Sequence, residues 1–258
     1  LTVKNVKLSG AAGASRTFQV ADGSLSDVTL DGVTFEGDNT QSVAVYGNAF
    51  NGNVTLTNIT AANYTDGNWG IVYVATNSGL EDVDFTGSTI QASAGMVEFN
   101  GNEPTSGENI TSVTIQDNTF ENITEDSDQD ANAALSVQDA ENTSISGNTF
   151  INNFNHIFFS NVIGESTQSV VSRNDFNRAT YTDSLLSSSI QNAVDAASSG
   201  NTVNVEPGTY DEDVEVPDGL TLSGPNAGIS GDSDSRVQEA TITGELKIDE
   251  NSTIDGFE

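Results

Sequence analysis

Carboxylates are the side chains best supplied for chemistry in this chain. Asp and Glu together number 38 among 258 residues, and pairs such as Asp82/Asp84 and Glu121/Glu125 are of the kind that cleave glycosidic bonds. They do so only when the fold sets two of them about 5 to 10 Å apart across a bound sugar. With acids this abundant, proximity in sequence singles out no pair. Glu125, Asp126, Asp128 and Asp130 form the densest acidic loop, and Asp126, Asp128 and Asp130 reproduce the D-x-D-x-D start of a calcium loop. Calcium is therefore the one cofactor the residues suggest, and these three are its ligand candidates. The pattern then departs from an EF-hand, because Ala131 and Val137 stand where Gly and Glu are needed, which favours a solvated acidic loop. The single histidine, His156, is either an acid/base or a packed side chain at a strand start. Trp69, with Tyr64 and Tyr73 nearby, is either a sugar-stacking platform or core packing. Cysteine is absent, which removes disulfides, thiolate metal sites and thiol nucleophiles together.

The elements that must position these groups carry an unusual charge. Seven Lys+Arg against 38 Asp+Glu give a net charge of −31, spread along the chain among Ser, Thr, Asn and Gly. Concentrated salt tolerates such self-repulsion, since the Debye length falls to about 3 Å at 1 M. A salt-adapted, extracellular setting is expected. Nucleic acid is excluded as a partner, because neutralising phosphates requires cations the chain does not have. No run of about 18 apolar residues exists to cross a membrane, and Leu1 opens without a leader pattern, so a mature or excised segment is expected. Asn-x-Ser/Thr sequons at Asn53, Asn58, Asn63, Asn109, Asn122, Asn142 and Asn251 mark candidate glycosylation positions and make glycans a candidate partner.

A repeat organises the rest. VKNVKL, LDGVTF, LTNITA, FTGSTI, IQDNTF, ISGNTF and VSRNDF share an apolar first residue and, usually, another five positions on. They begin at Val3, Leu30, Leu56, Phe85, Ile115, Ile145 and Val171, with steps of 27, 26, 29, 30, 30 and 26. Second β-like runs lie between them, with Val20, Val45, Val74, Phe99, Val137 and Phe159 as inward candidates, so each repeat holds at least two strands. A period of this length without room for a crossover helix fits one coil of a parallel β-solenoid, with length variation confined to turns. Asn118, Asn148 and Asn174 occupy the fourth position of the last three copies and predict an internal Asn ladder, a structural device.

These repeats, most clearly ISGNTFINNFNHIFFSN, resemble the right-handed parallel β-helix proteins of the pectate-lyase-like superfamily, in the acidic style of haloarchaeal surface or filament proteins. That resemblance implies an all-β right-handed β-helix, a fold that hosts polysaccharide lyases, glycoside hydrolases and esterases. Measured against those relatives, His156 sits in NHIF instead of the Gly-His-Gly of polygalacturonases. HIFFSN lacks the Asp of pectin methylesterases. Arg173 and Arg178 flanking Asp175 resemble the arginine base and calcium-binding acids of pectate lyases, without a further acid cluster to align.

From residue 184 the pattern changes. SSSIQNAVDAASSG places Ile190, Ala193, Val194 and Ala197 at helical spacing behind a Ser and before Gly200, predicting one short capping helix. The run around VEPGTYDE resembles the opening segment of β-helix proteins, which divides the chain into coils over 1–180 and an opening module over 181–258. That module comes last, while LTVKNVKL starts in mid-repeat, so both ends look ready for further coils. Stacking of copies head to tail is expected, with Leu1, Val3, Val6 and Leu8 meeting Ile248, Ile254 and Phe257. The expected function is that of a non-catalytic structural protein in an extracellular filament or surface assembly. The alternatives are a carbohydrate-binding or adhesive β-helix, or a polysaccharide lyase or glycoside hydrolase.

Overall fold

The computed structural model of the chain describes residues 1–9, 16–20, 25–37, 43–47, 50–64, 71–75, 80–101, 109–124 and 133–258. It shows a parallel β-solenoid with two short helices, and by internal contacts the chain divides into two units, Leu1–Asp175 and Phe176–Glu258.

In the first unit each coil contributes a strand to three parallel sheets. The first sheet contains Thr2–Lys4, Leu25–Asp31, Phe50–Thr57, Leu80–Thr86, Ser112–Gln116 and Thr143–Ser146. The second contains Lys7–Ser9, Thr34–Glu36, Thr60–Ala62, Thr89–Ala94, Thr119–Thr124 and Thr149–Ile151. The third contains Arg16–Gln19, Val43–Gly47, Val72–Ala75, Val97–Asn100, Leu135–Ala140 and Asn155–Val162. The six-residue template is thus not a single strand. Its third residue turns a corner between the first two sheets, with positive φ at Asn5 (53°), Gly32 (65°), Asn58 (53°), Gly87 (61°), Asp117 (56°) and Gly147 (68°). Only Gly, Asn and Asp enter that backbone region readily.

Inward positions stack in register. Val3, Leu30, Leu56, Phe85, Ile115 and Ile145 form one column, and Leu8, Phe35, Ala61, Ile90, Phe120 and Phe150 another. Phe120 and Phe150 lie face to face with centroids 4.8 Å apart, and Phe85 tilts against Phe120 at 6.1 Å. Outward on the second sheet, Thr34, Thr60, Thr89, Thr119 and Thr149 are also in register, the β-branched choice a pleated surface favours.

The six inward candidates of the third sheet are all buried; Val45 pairs with Val72, and Val74 with Gly47, so they occupy two neighbouring inward columns two residues apart. One expectation needs correction here. The seventh template copy is not a strand start. Residues Thr167–Arg173 form helix α1, Val170 and not Val171 is its fully buried residue, and Ser166 caps it by accepting from the Ser169 amide. Glu165 accepts the Ile145 amide, so a carboxylate terminates the first sheet where another strand would pair.

The second unit contains helix α2, Ile190–Asp195, capped by Ser189. Its first turn is fastened by Glu212, whose carboxylate accepts from the Ile190 amide (2.9 Å), the Gln191 amide (3.1 Å) and the Ser189 hydroxyl (2.6 Å). Ile190, Ala193 and Val194 pack into a core with Val203, Val205, Tyr210, Val214, Val216, Leu220 and Leu222. The Tyr210 hydroxyl donates to the Ala179 and Glu206 carbonyls, and burial raises its pKa. The Tyr and Glu of PGTYDE therefore lock the start of a coil. Thr180–Tyr181 pairs antiparallel with Leu185–Ser187 and with Thr202–Val205. From there the ladders are parallel, with Thr202–Val205, Thr221–Ser223 and Thr253–Asp255 in one sheet. Gly208–Tyr210 pairs with Ala240–Ile242, and Val214–Val216 with Leu246–Ile248. Among the described residues no helix is long and apolar enough to cross a membrane.

Candidate functional site

The interior polar ladder extends beyond the three predicted residues. Ser88 Oγ accepts from the Ile59 amide at 2.9 Å, and Asn118 Oδ1 accepts from the Ser88 amide at 2.8 Å. Asn148 Oδ1 takes both the amide and the Nδ2 of Asn118 at 2.9 Å, and Asn174 Oδ1 takes those of Asn148 at 2.9 and 2.8 Å. Each Asn side chain also donates to a carbonyl of the preceding coil, at Phe85, Ile115 and Ile145. Buried amides engaged in this way hold coils in register and leave nothing to offer a substrate. A parallel element escaped sequence reading. Asn153 accepts from the Ile123 amide and donates to Phe120 O, while Ser93 accepts from the Tyr64 amide. The only sequence signal for it was the second Asn of INNF, five residues after the first ladder position.

The residues considered for catalysis do not converge. Asp82 and Asp84 lie side by side on the outer face of one strand. Glu121 faces outward on the next coil's second sheet, and Glu125, like Asp126, Asp128, Asp130 and Trp69, lies outside the described residues. Arg173 turns to Glu165 and the Ser169 carbonyl, while the Arg178 guanidinium sits 5.9 Å from the Tyr210 ring, so the Arg-Asp-Arg run forms no cluster around Asp175. His156 is fully buried and packs edge-on against Phe150 at 5.7 Å, as a packed side chain would. Among the described residues no group of three or more His, Asp or Glu could hold a metal ion.

An aromatic feature does exist on the outer face of the third sheet. Tyr46 and Tyr73 stack at 5.4 Å, and the Arg16 guanidinium lies 3.6 Å above the Tyr46 ring. In the same column Glu98 accepts from Asn100 Nδ2 (3.1 Å) and from Gln138 Nε2 (3.0 Å). Tyr46, Tyr73 and Glu98 are 6, 3 and 5% exposed, so these groups are occupied in packing and present no open ring face to a sugar. Tyr64 is wholly buried, its hydroxyl 3.1 Å from Thr17 Oγ1.

The sequons divide by environment. Asn53, Asn58, Asn122, Asn142 and Asn251 are exposed, and Asn63 and Asn109 half-buried. The side-chain amides of Asn58, Asn109, Asn142 and Asn251 donate to Asp31, Glu141, the Thr111 carbonyl and Asp218 respectively, each tying a turn to an earlier or later coil.

Apolar residues are exposed on two coils at the edges of the described strand order. Leu30, Leu56 and Phe85 are at most 1% exposed, yet Leu1 and Val6 of the first coil are 50 and 37% exposed, with Val3 and Leu8 half-buried. In the second unit Val214 and Val216 are buried, while their column partners Leu246 and Ile248 are 37 and 52% exposed. Ile254 and Phe257 already pack partly against the core of their own unit, which makes Leu246 and Ile248 the better-presented apolar residues at that edge. Leu246 lies outside the segments that share the template, and its alternation with Ile248 around Lys247 is the sequence signal for it. Among the described residues, the strands Thr2–Lys4, Lys7–Ser9, Leu246–Ile248 and Thr253–Asp255 each carry a partner on one side only. No family model matches the chain, and no curated protein or solved structure matches it either.

Proposed function

We propose that the chain is a structural β-solenoid of an extracellular, salt-adapted assembly, in which units extend one another by stacking coil on coil, head to tail. The observation that carries this reading is the exposure of apolar residues on two edge coils of the described strand order. Identical column positions are sealed inside a coil stack and half-exposed at its margin, and a parallel strand beside each margin would both bury them and pair the waiting N–H and C=O groups. A heterologous contact of this kind propagates unless it closes on itself. The ladders of Phe and Asn hold the coils of the first unit in register, and the charge of −31 keeps neighbouring assemblies apart sideways.

The test is electron microscopy and sedimentation of the 258-residue chain in molar salt. Fibres or stacked particles are expected, and Val6→Asp combined with Ile248→Asp should leave discrete particles with unchanged circular dichroism. An unaltered chain that stays monomeric at high concentration contradicts the proposal and favours a carbohydrate-binding or adhesive β-helix.

A further inference from the structure

Basic residues are scarce in this chain, and their placement is uneven. Lys4, Lys7 and Arg16 are three of the seven, and all fall within residues 1–20, which contain no Asp or Glu. That stretch carries +3, and the remaining residues 21–258 therefore carry −31 − 3 = −34. At the other open edge, residues 243–258 hold Glu245, Asp249, Glu250, Asp255 and Glu258 against Lys247, giving 1 − 5 = −4. These five acids are exposed. A cationic coil and a strongly anionic coil thus occupy two of the margins where, among the described residues, strands lack a second neighbour.

The cations are placed to act between coils. Lys4 Nζ lies 3.3 Å from Asp31 and Lys7 pairs with Glu36, each in the adjacent coil, and both lysine side chains remain more than half exposed. Successive coils are separated by the strand spacing, about 4.8 Å, so a side chain on one margin reaches a coil stacked against it as readily as the coil behind it. Resting on the stacking reading above, we infer that the joint is electrostatically polarised. The surface around Lys4, Lys7 and Arg16 takes as its partner the acidic last coil of a second copy, which fixes the direction of assembly and disfavours joints between like ends. Two first coils would set +3 against +3, and two last coils −4 against −4. Like-charge juxtaposition at an interface is strongly unfavourable, whereas opposite charge also speeds encounter.

The experiment is a charge swap, read by sedimentation at the lowest salt at which the circular dichroism of the coils is retained, where screening is weakest. Lys4→Glu with Lys7→Glu takes the net charge from −31 to −35 and should raise the concentration needed for assembly by roughly tenfold or more. Adding Glu245→Lys with Asp249→Lys returns the net charge to −31 and should restore assembly, with the two signs exchanged. If the lysine variant assembles like the parent chain, polarisation is overturned while stacking stands. If the four-residue variant fails to recover, pairing between these two coils is overturned. A parent chain that never assembles removes both this inference and the proposed function.

Discussion

The fourth and fifth coils and the marginal coils are built from the same residue types at the same column positions, yet they differ in what surrounds them. Phe85, Ile115, Ile90 and Phe120 are wholly buried, with a coil on either side. Val3 and Leu8 continue the same two columns half-buried, and Ile248 continues the Val216 column at 52% exposure. A coil of about 30 residues closes no core of its own. Its apolar residues are sheltered chiefly by the coils above and below, so the stability of each coil is largely a property of its neighbours.

Substitutions can break or sharpen this contrast. Phe120→Ala removes a ring stacked on Phe150 and tilted against Phe85 and should cost about 3 to 5 kcal/mol in urea unfolding, whereas Val3→Ala in the separate chain should cost about 1 kcal/mol or less. Equal costs would show that the margin is as tightly packed as the interior. Next in size, Asn148→Ala strands the Asn118 amide and the Ile115 carbonyl inside the ladder and should cost about 1 to 3 kcal/mol. A loss no larger than that of an exposed Asn-to-Ala change elsewhere would mean that water replaces the amide.

Salt acts on the whole chain. The melting temperature should fall markedly between molar and millimolar NaCl, because the repulsion within a charge of −31 is unscreened at low salt; a flat response would contradict the salt-adapted reading. The smallest effects concern single carboxylates, and their signs oppose each other. Burial raises the Glu206 carboxyl pKa above 4.5, partly offset by its hydrogen bond with Tyr181. The folded state therefore binds this proton more tightly than the unfolded chain, and its unfavourable contribution at neutral pH is relieved as pH falls through the folded pKa. Glu206→Gln should slightly stabilise the second unit at pH 7 and lose that advantage at pH 4. Asp31, hydrogen-bonded by Asn58, Lys4 and Thr57, has its pKa lowered from 3.8, so its favourable contribution is present above that value and lost as pH falls through the folded pKa. Thermal melts of Asp31→Asn and Glu206→Gln across this range should show opposite pH trends.

The solenoid was legible in the sequence because stacking forces equivalent positions to repeat their residue type. The template beginning at Val3, Leu30 and Leu56 is a core column written out at coil intervals. The corner is legible too, since the third template position reads Asn, Gly, Asn, Gly, Asp, Gly. The alternation has a spatial cause. A Cβ built on Gly32, Gly87 or Gly147 would lie 2.6, 3.0 or 2.3 Å from the side-chain oxygen of Asn5, Asn58 or Asp117 in the coil before, so the side chain on one coil crowds the positive-φ position that glycine fills on the next. Helix α1 was misread because VSRNDF keeps the template's spacing, while the signal that overrides it, Ser166 followed by Val170 at helical spacing, lies upstream. The Tyr46–Tyr73 stack and the contacts of Glu98 depend on the register of the third sheet, which the varying number of residues before each of its strands hides from a count along the chain. At the edges, residue type is the same as in the core, and only the missing neighbour distinguishes them.

Hydrogen exchange of the marginal strands, followed against protein concentration in molar salt, tests the stacking most directly. Amides of Thr2–Lys4 and Leu246–Ile248 should exchange quickly in dilute solution and approach the protection of Ser112–Gln116 as the concentration rises, while the interior strands stay unchanged. Marginal amides whose exchange is the same at every concentration would contradict the account.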